Sequence, residues 1–229
     1  MNTNVNLPAA LGVLGFMGAS LVLFLLGLVA LHALVVRRYG RLKVSLAVIG
    51  LVSAAYAVLI VAFSLASGER VLARGEEKHF CEIDCHLAYS VEGVRRAKTL
   101  GAGSERLTAR GEFYVVTLKT RFDETTISPR RGDAPLRPNP RSATVYDADG
   151  HAYEESHEGR RALTTEGGGG TPMFTELRPG QSYTTELVFD LPAGARPPLR
   201  LLLNESSAET RLIIGHENSP LHKKTEFSL

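Results

Sequence analysis

Glu112-Phe113-Tyr114-Val115-Val116-Thr117-Leu118-Lys119-Thr120-Arg121-Phe122 is the clearest strand in the chain. It is dense in β-branched and aromatic side chains, which suit a pleated, half-buried surface. Downstream, residues 182–191 alternate, with Tyr183, Leu187 and Phe189 as candidate core positions. Shorter strand-like stretches are expected at 86–94, 143–146, 199–203, 211–214 and 224–229. Turns are expected at Asp147-Ala148-Asp149-Gly150 and Leu177-Arg178-Pro179-Gly180. Residues 95–110 are small, basic and Gly-bearing, so a loop or short helix is expected. Residues 128–141 hold four prolines and read as a long loop. The four glycines 167–170 read as a flexible loop. They are no phosphate cradle, because no Lys-Ser/Thr follows. About seven short strands with little helical periodicity predict an antiparallel β-sandwich.

Upstream the composition changes. Residues 1–68 contain no Asp or Glu; all 24 acids lie in 69–229, with 22 of the 26 Lys and Arg. That part carries about 22 − 24 = −2 charges with His neutral. It lacks the basic excess that a nucleic-acid binder needs to neutralise phosphates. Residues 9–36 and 44–67 carry no charged side chain. About 20 apolar residues of helix span the hydrocarbon core of a bilayer. Both runs are therefore expected to cross it as a hairpin. A cleaved signal peptide fits the first run poorly: it is too long, and no Lys or Arg precedes it.

The loop 37–43 holds Arg37, Arg38, Arg41 and Lys43 and no acid, so the positive-inside rule places it in the cytoplasm. Both termini are then expected outside a bacterial inner (cell) membrane. Gly12, Gly15 and Ala19 share one helix face, and Ser53, Ala54 and Ala57 cluster on the other helix. Such faces pack within the hairpin or against another membrane subunit. The expected organisation is a transmembrane hairpin over 1–68, a polar stalk over 69–79 and an outer β domain over 80–229.

Phe80-Cys81-Glu82-Ile83-Asp84-Cys85-His86 holds both cysteines. Outside the cytoplasm they can form a disulfide. In an extended strand, residues four apart lie about 13 Å apart, too far for that bond. Cys81 and Cys85 therefore act together only if the chain turns. A ring this small contributes only about 2 kcal/mol through chain entropy. Thiol redox or metal chemistry at Cys81 and Cys85 therefore stays open beside a structural disulfide. Two thiolates and an imidazole suit Cu(I), and His86, His216 and His222 are the candidate third ligands.

Two resemblances bear on these readings. Leu177-Arg178-Pro179-Gly180-Gln181-Ser182-Tyr183, with Leu187-Val188-Phe189-Asp190-Leu191-Pro192, resembles a stretch of immunoglobulin-like domains of unknown function. Those domains occur on bacterial membrane proteins and lipoproteins. The resemblance covers roughly 110–229 and implies an immunoglobulin-like sandwich outside the membrane, with no established activity. The Cys-x-x-x-Cys segment resembles the copper loop of cytochrome oxidase subunit II and the copper-delivery proteins of oxidase assembly. It departs from the first because its cysteines come early and Tyr89 stands where a His is expected. It departs from the second because no βαβ pattern is present. Cys81-x-x-x-Cys85-His86 is also one residue longer than the usual c-haem attachment signature.

No hydrolase motif is present, and Arg131-Gly132-Asp133 alone does not identify an adhesion site. No catalytic residue and no cofactor is expected under the first reading: a membrane-anchored, extracytoplasmic binding or assembly module whose partners are membrane lipid and another protein. The alternative is copper handling or thiol redox at Cys81 and Cys85 with a histidine, linked to respiratory complex assembly.

Overall fold

The computed structural model describes every residue except Met1 and residues 4–6, 8, 81–85, 129 and 206. It divides into two units. One is a β unit made of Met1–Asn4, Glu69–Ser206 and Lys224–Leu229; the other is a helical unit made of Val5–Gly68 and Ser207–Lys223. In chain order the elements are β1 (Asn2–Thr3), α1 (Ala9–Val35), α2 (Tyr39–Leu65), β2 (Arg70–Leu72), β3 (Lys78–Phe80), β4 (Leu87–Leu100) and β5 (Leu107–Phe122). There follow β6 (Arg141–Tyr146), β7 (Ala152–Glu154), α3 (His157–Thr165), β8 (Ser182–Leu191), β9 (Arg200–Glu205) and β10 (Thr225–Ser228).

The β unit has two five-stranded sheets, ordered β1-β3-β4-β5-β8 and β2-β10-β9-β6-β7. Neighbours run antiparallel except the pairs β1/β3 and β2/β10, which are parallel. The period of two along β5 decides the layering. Tyr114, Val116, Leu118 and Phe122 join the core shared with the second sheet, where Val145, Leu201, Leu203 and Phe227 are buried. Phe113 and Val115 face the other way and pack with Leu100, Val188 and two residues of α3, Ala162 and Leu163. β8 divides likewise: Leu187, Phe189 and Leu191 face the shared core, and Val188 faces the α3 side.

Several expectations change. Residues 95–110 are mostly strand: β4 runs on to Leu100 and β5 begins at Leu107, which leaves the expected loop or short helix only to 101–106, with a 3₁₀ turn at Gly103–Glu105. Irregularities after Val91 and Ala97 shift the register, so the apolar alternation breaks and the strand end is hard to read. The expected stalk carries β2 and β3, because its polar residues lie among strand-compatible ones and pair with β10 and β4. Residues 211–214 form no strand; Ala208–Leu212 is a 3₁₀ turn, and residues 207–223 belong to the helical unit.

Helix α3 lies outside the expected all-strand pattern. Ser156 accepts a hydrogen bond from the Gly159 amide at 3.0 Å, an N-cap. Gly159 lets the helix lie on the sheet, since a Cβ there would meet Val188 Cγ1 at 2.7 Å. The glycines 167–170 are the ordered end of this helix. Gly167 takes φ 81°, and the Gly168 amide donates to the Leu163 carbonyl at 3.1 Å. Gly169 and Gly170 then run against β8, where Gly169 N donates to Glu186 Oε2 at 2.7 Å.

In the helical unit, Ala10–Val35 and Tyr39–Leu65 are long and apolar enough to cross a membrane. The connection is shorter than the expected 37–43. Arg37 adopts φ 55°, and Arg38 N donates to Ala33 O at 2.8 Å, which closes α1. Helix α2 starts at Tyr39, so Arg41 and Lys43 ride on its first turns. Ala30, Ala33, Ser45 and Ile60 are buried, whereas Ser53, Ala54 and Ala57 stay exposed. At Gly12 the glycine face of α1 lies against Ile213 and Ile214.

Leu163→Ala should destabilise the β unit by about 2–5 kcal/mol, the usual cost of a truncated core leucine. Denaturant unfolding of the detergent-solubilised chain measures it. Arg161→Ala on the exposed face of α3 should change stability by under about 0.5 kcal/mol. Equal effects would contradict the packing of α3 on the sheet.

Candidate functional site

Cys81 and Cys85 lie outside the described residues. Their flanks are well placed: Lys78 pairs with Tyr89, His79 with Ala88 and Phe80 with Leu87 across an antiparallel ladder. The candidate site is therefore the set of side chains on β3, β4 and the end of β5 that surround these flanks.

On the inner face of β3, Lys78 and Phe80 enter the core. Lys78 is fully buried, and Nζ donates to the carbonyl oxygens of Leu203 at 2.8 Å and Thr225 at 2.9 Å. These oxygens belong to the opposite sheet, just beyond the last β9/β10 pair, Phe227 with Leu201. The ammonium thus satisfies carbonyls that the ladder no longer serves. Arg141 on β6 pairs with Glu205, its cross-strand neighbour on β9, at 2.5 Å, and both side chains are buried. The Arg141 guanidinium lies 3.9 Å from the Phe80 ring centre and 5.8 Å from that of Tyr89. Lys78 Nζ lies 4.9 Å from the Phe80 ring centre. Two buried cations thus attend one aromatic ring, where the ring quadrupole and carbonyl or carboxylate partners offset lost hydration. Burial raises the Tyr89 phenol above its ordinary value, so it stays neutral beside Arg141.

On the outer face, His79 Nε2 lies 3.2 Å from Asp123 Oδ2. Arg121 donates to both Glu77 oxygens at 2.7 Å and to Asp123 Oδ1 at 3.3 Å. Asp123 also accepts from the Thr125 amide and hydroxyl, at 3.0 and 2.7 Å. Burial opposes the Asp123 charge. The hydrogen bonds from Thr125 and His79 and the charge of Arg121 outweigh it and hold the carboxyl down at about 2. The hydrogen bond from Arg121 also lowers Glu77. Beyond the cysteines, His86 stacks on Phe122 at 5.5 Å, with Nδ1 2.7 Å from Thr126 Oγ1.

The alternative third ligands are divided between the two units. His86 belongs to the β unit; His216 and His222 belong to the helical unit. His216 Nδ1 accepts from the Asn218 amide at 3.0 Å, and His222 Nδ1 lies 2.6 Å from the Lys223 carbonyl oxygen. Sequence reasoning missed His79. It is buried, and its Nδ1 has no hydrogen-bond partner among the described residues. An imidazole whose one nitrogen faces a carboxylate has its ring orientation set and offers the other nitrogen for a metal or proton. The one signal in the sequence was its place two residues before Cys81.

Among the described residues, Asp147, Asp149 and His151 also come within metal-ligating distance of one another. Asp147 there works as a turn lock. It accepts from the amides of Asp149 and His151, from the Tyr153 hydroxyl at 2.9 Å, and faces His151 Nδ1 at 3.1 Å.

No protein-family profile matches the sequence, and no curated protein matches it. Solved structures with some likeness include a conserved hypothetical protein from Bacillus anthracis, at TM-score 0.44 and 15% identity, covering 61% of this chain and 93% of that one. Another is the secreted protein MPT63 from Mycobacterium tuberculosis, at TM-score 0.39 and 10% identity, covering 71% and 100%. A third is the yjhA protein from Bacillus subtilis, at TM-score 0.41 and 14% identity, covering 71% and 99%. These values are too low to assign a fold family or an activity.

Arg141→Met should cost about 3–5 kcal/mol, because it leaves the Glu205 carboxylate buried without its cation. Arg141→Met/Glu205→Leu should recover most of that loss; a double variant as unstable as the single one would contradict the reading. A second expectation concerns acid. The folded Asp123 value of about 2 lies below the ordinary 3.8. Its stabilisation is therefore complete above about pH 4 and is lost as pH falls toward 2. Asp123→Asn should lower stability at neutral pH and flatten the stability–pH curve in that window.

Proposed function

We propose that this chain is a two-pass protein of the bacterial cell membrane whose immunoglobulin-like outer domain serves as a non-catalytic binding or assembly module. The observation that carries the membrane part is the exposure of large apolar side chains along both helices. Leu14 is 61% exposed, Phe24 63% and Leu51 70%. In water each such side chain forgoes about 1.5–3 kcal/mol of burial energy; hydrocarbon removes that penalty. Arg37, Arg38, Arg41 and Lys43 gather at the hairpin tip, which favours a cytoplasmic tip. The first residues support the same topology. Strand β1 pairs with β3, so the N-terminus lies on the side of the β unit, and two crossings satisfy that. Two sheets around one core support the immunoglobulin-like reading.

Protease added to intact spheroplasts should digest the β unit and spare the hairpin tip. Digestion only from the cytoplasmic side of inverted vesicles would overturn the topology. In-cell cross-linking should recover protein partners through the β unit, and Cys81→Ser/Cys85→Ser should keep them. Partners unchanged after loss of the β unit would remove the module reading.

The second reading is thiol redox or Cu(I) handling at Cys81 and Cys85. It is favoured by His79, a buried imidazole held on Asp123 two residues before Cys81. Two thiolates and an imidazole suit Cu(I). The reduced full chain should then take up Cu(I) against a competing chelator, more weakly as His79→Ala. No uptake, together with thiols inert to oxidoreductants, would remove this reading.

A further inference from the structure

Residues 207–223 leave the β unit after β9 and return to it at β10, yet they belong with the two long helices. We infer that this segment is a second membrane-contacting element, inserted beside the hairpin into the outer leaflet so that Leu212 and Leu221 face lipid; this rests on the two-pass reading above.

The anchoring contacts set its depth. Tyr56 Oη donates to the Leu212 carbonyl at 2.7 Å. About 20 residues of helix cross the hydrocarbon core. Counted from Lys43 they reach Phe63, so Tyr56 lies inside that span. A phenol there needs an acceptor, and the Leu212 carbonyl supplies one. On α1, a Cβ at Gly12 would lie 2.9 Å from the Ile214 carbonyl oxygen and 3.1 Å from Ile213 Cγ2. The missing side chain is what admits the segment. At the other end, Lys223 N donates to Ser67 Oγ at 2.9 Å, beyond the end of α2 at Leu65. The segment therefore runs from the headgroup level near Ser67 down to the level of Tyr56.

Its own bonding suits that place. Irregular backbone in hydrocarbon must satisfy its polar groups within the protein. The Ile213 carbonyl accepts from His216 N at 3.2 Å and from Ser219 Oγ at 2.6 Å. Thr210 Oγ1 donates to the Ser207 carbonyl at 2.5 Å and accepts from Asn218 Nδ2 at 2.8 Å. The side chains that remain outward include two leucines, Leu212 at 50% exposure and Leu221 at 69%. Leu221 has φ 66°, a conformation that favours Gly or Asn. A leucine held there with its side chain outward gains nothing in water and apolar contact in lipid. The charged Arg211 beside Leu212 is exposed and long enough to reach the headgroups.

The sequence contains no tryptophan, so each single-Trp variant reports one place. Full-length Leu212→Trp, Leu221→Trp, Phe24→Trp and Arg95→Trp would each be reconstituted in phosphatidylcholine vesicles. Emission would be read with lipids brominated at shallow or deep acyl positions, and with aqueous iodide. Phe24 marks the span and Arg95 marks the water-exposed β unit. We expect Leu212→Trp to show blue-shifted emission, loss of signal with acyl bromines and protection from iodide. Leu221→Trp should be quenched by the shallow bromines more than by the deep ones. Adding Gly12→Leu to Leu212→Trp should displace the segment and shift quenching toward iodide. If Phe24→Trp is quenched by bromolipid while both leucine positions are quenched only by iodide, the inference fails and the two-pass reading stands. If Phe24→Trp is also insensitive to bromolipid, the two-pass reading fails with it.

Discussion

One buried ammonium ties the β unit together. Lys78 reaches from β3 of one sheet to two carbonyls of the other, at the point where the β9/β10 ladder has run out of partners. A lysine is stable there because strong acceptors and an aromatic face within reach offset the hydration its buried charge gives up. Arg141, Glu205 and Phe80 build the rest of that centre. These contacts fix β3, and β3 with β4 fixes both flanks of the cysteine segment. The same alternation that sends Lys78 and Phe80 inward sends His79 outward onto Asp123. Core and candidate site are thus two faces of one three-residue strand.

This arrangement explains which parts of the chain were legible. The strands at 112–122 and 182–191 read correctly because each has one face on the shared core, so the period of two survives in the residue types. The end of β4 did not, since its apolar partner is α3 and the irregularity after Val91 shifts its inward positions. Helix α3 is short, and its polar face outweighs the two core residues Ala162 and Leu163. Its cap Ser156 and stop Gly167 are single residues that loops use as readily as helix ends. The glycine run reads as flexible in sequence because left-handed backbone and flexibility use the same residue.

The buried cations were not legible at all. In a sequence, Lys78 and Arg141 look like surface residues, as nearly every lysine and arginine is. Their role depends on carbonyls and rings contributed from residues 80, 89, 203 and 225, a set that no local window contains. His79 is silent in sequence for the same reason: its partner Asp123 is 44 positions away. Conversely, the small residues of α1 pointed to close packing, and that packing exists at Gly12, but its partner is the chain's own segment 207–223.

Lys78 joins the two sheets and thereby holds both flanks of the cysteine segment. Amide hydrogen exchange on the full chain in lipid, comparing the natural protein with Lys78→Met, tests it. Protection should fall at β9 and β10, the strands whose carbonyls the ammonium holds, and at β3, while the β5/β8 pair stays protected. Unchanged exchange at β9 and β10 would contradict it, and would make Lys78 a passenger in a core held by apolar packing alone.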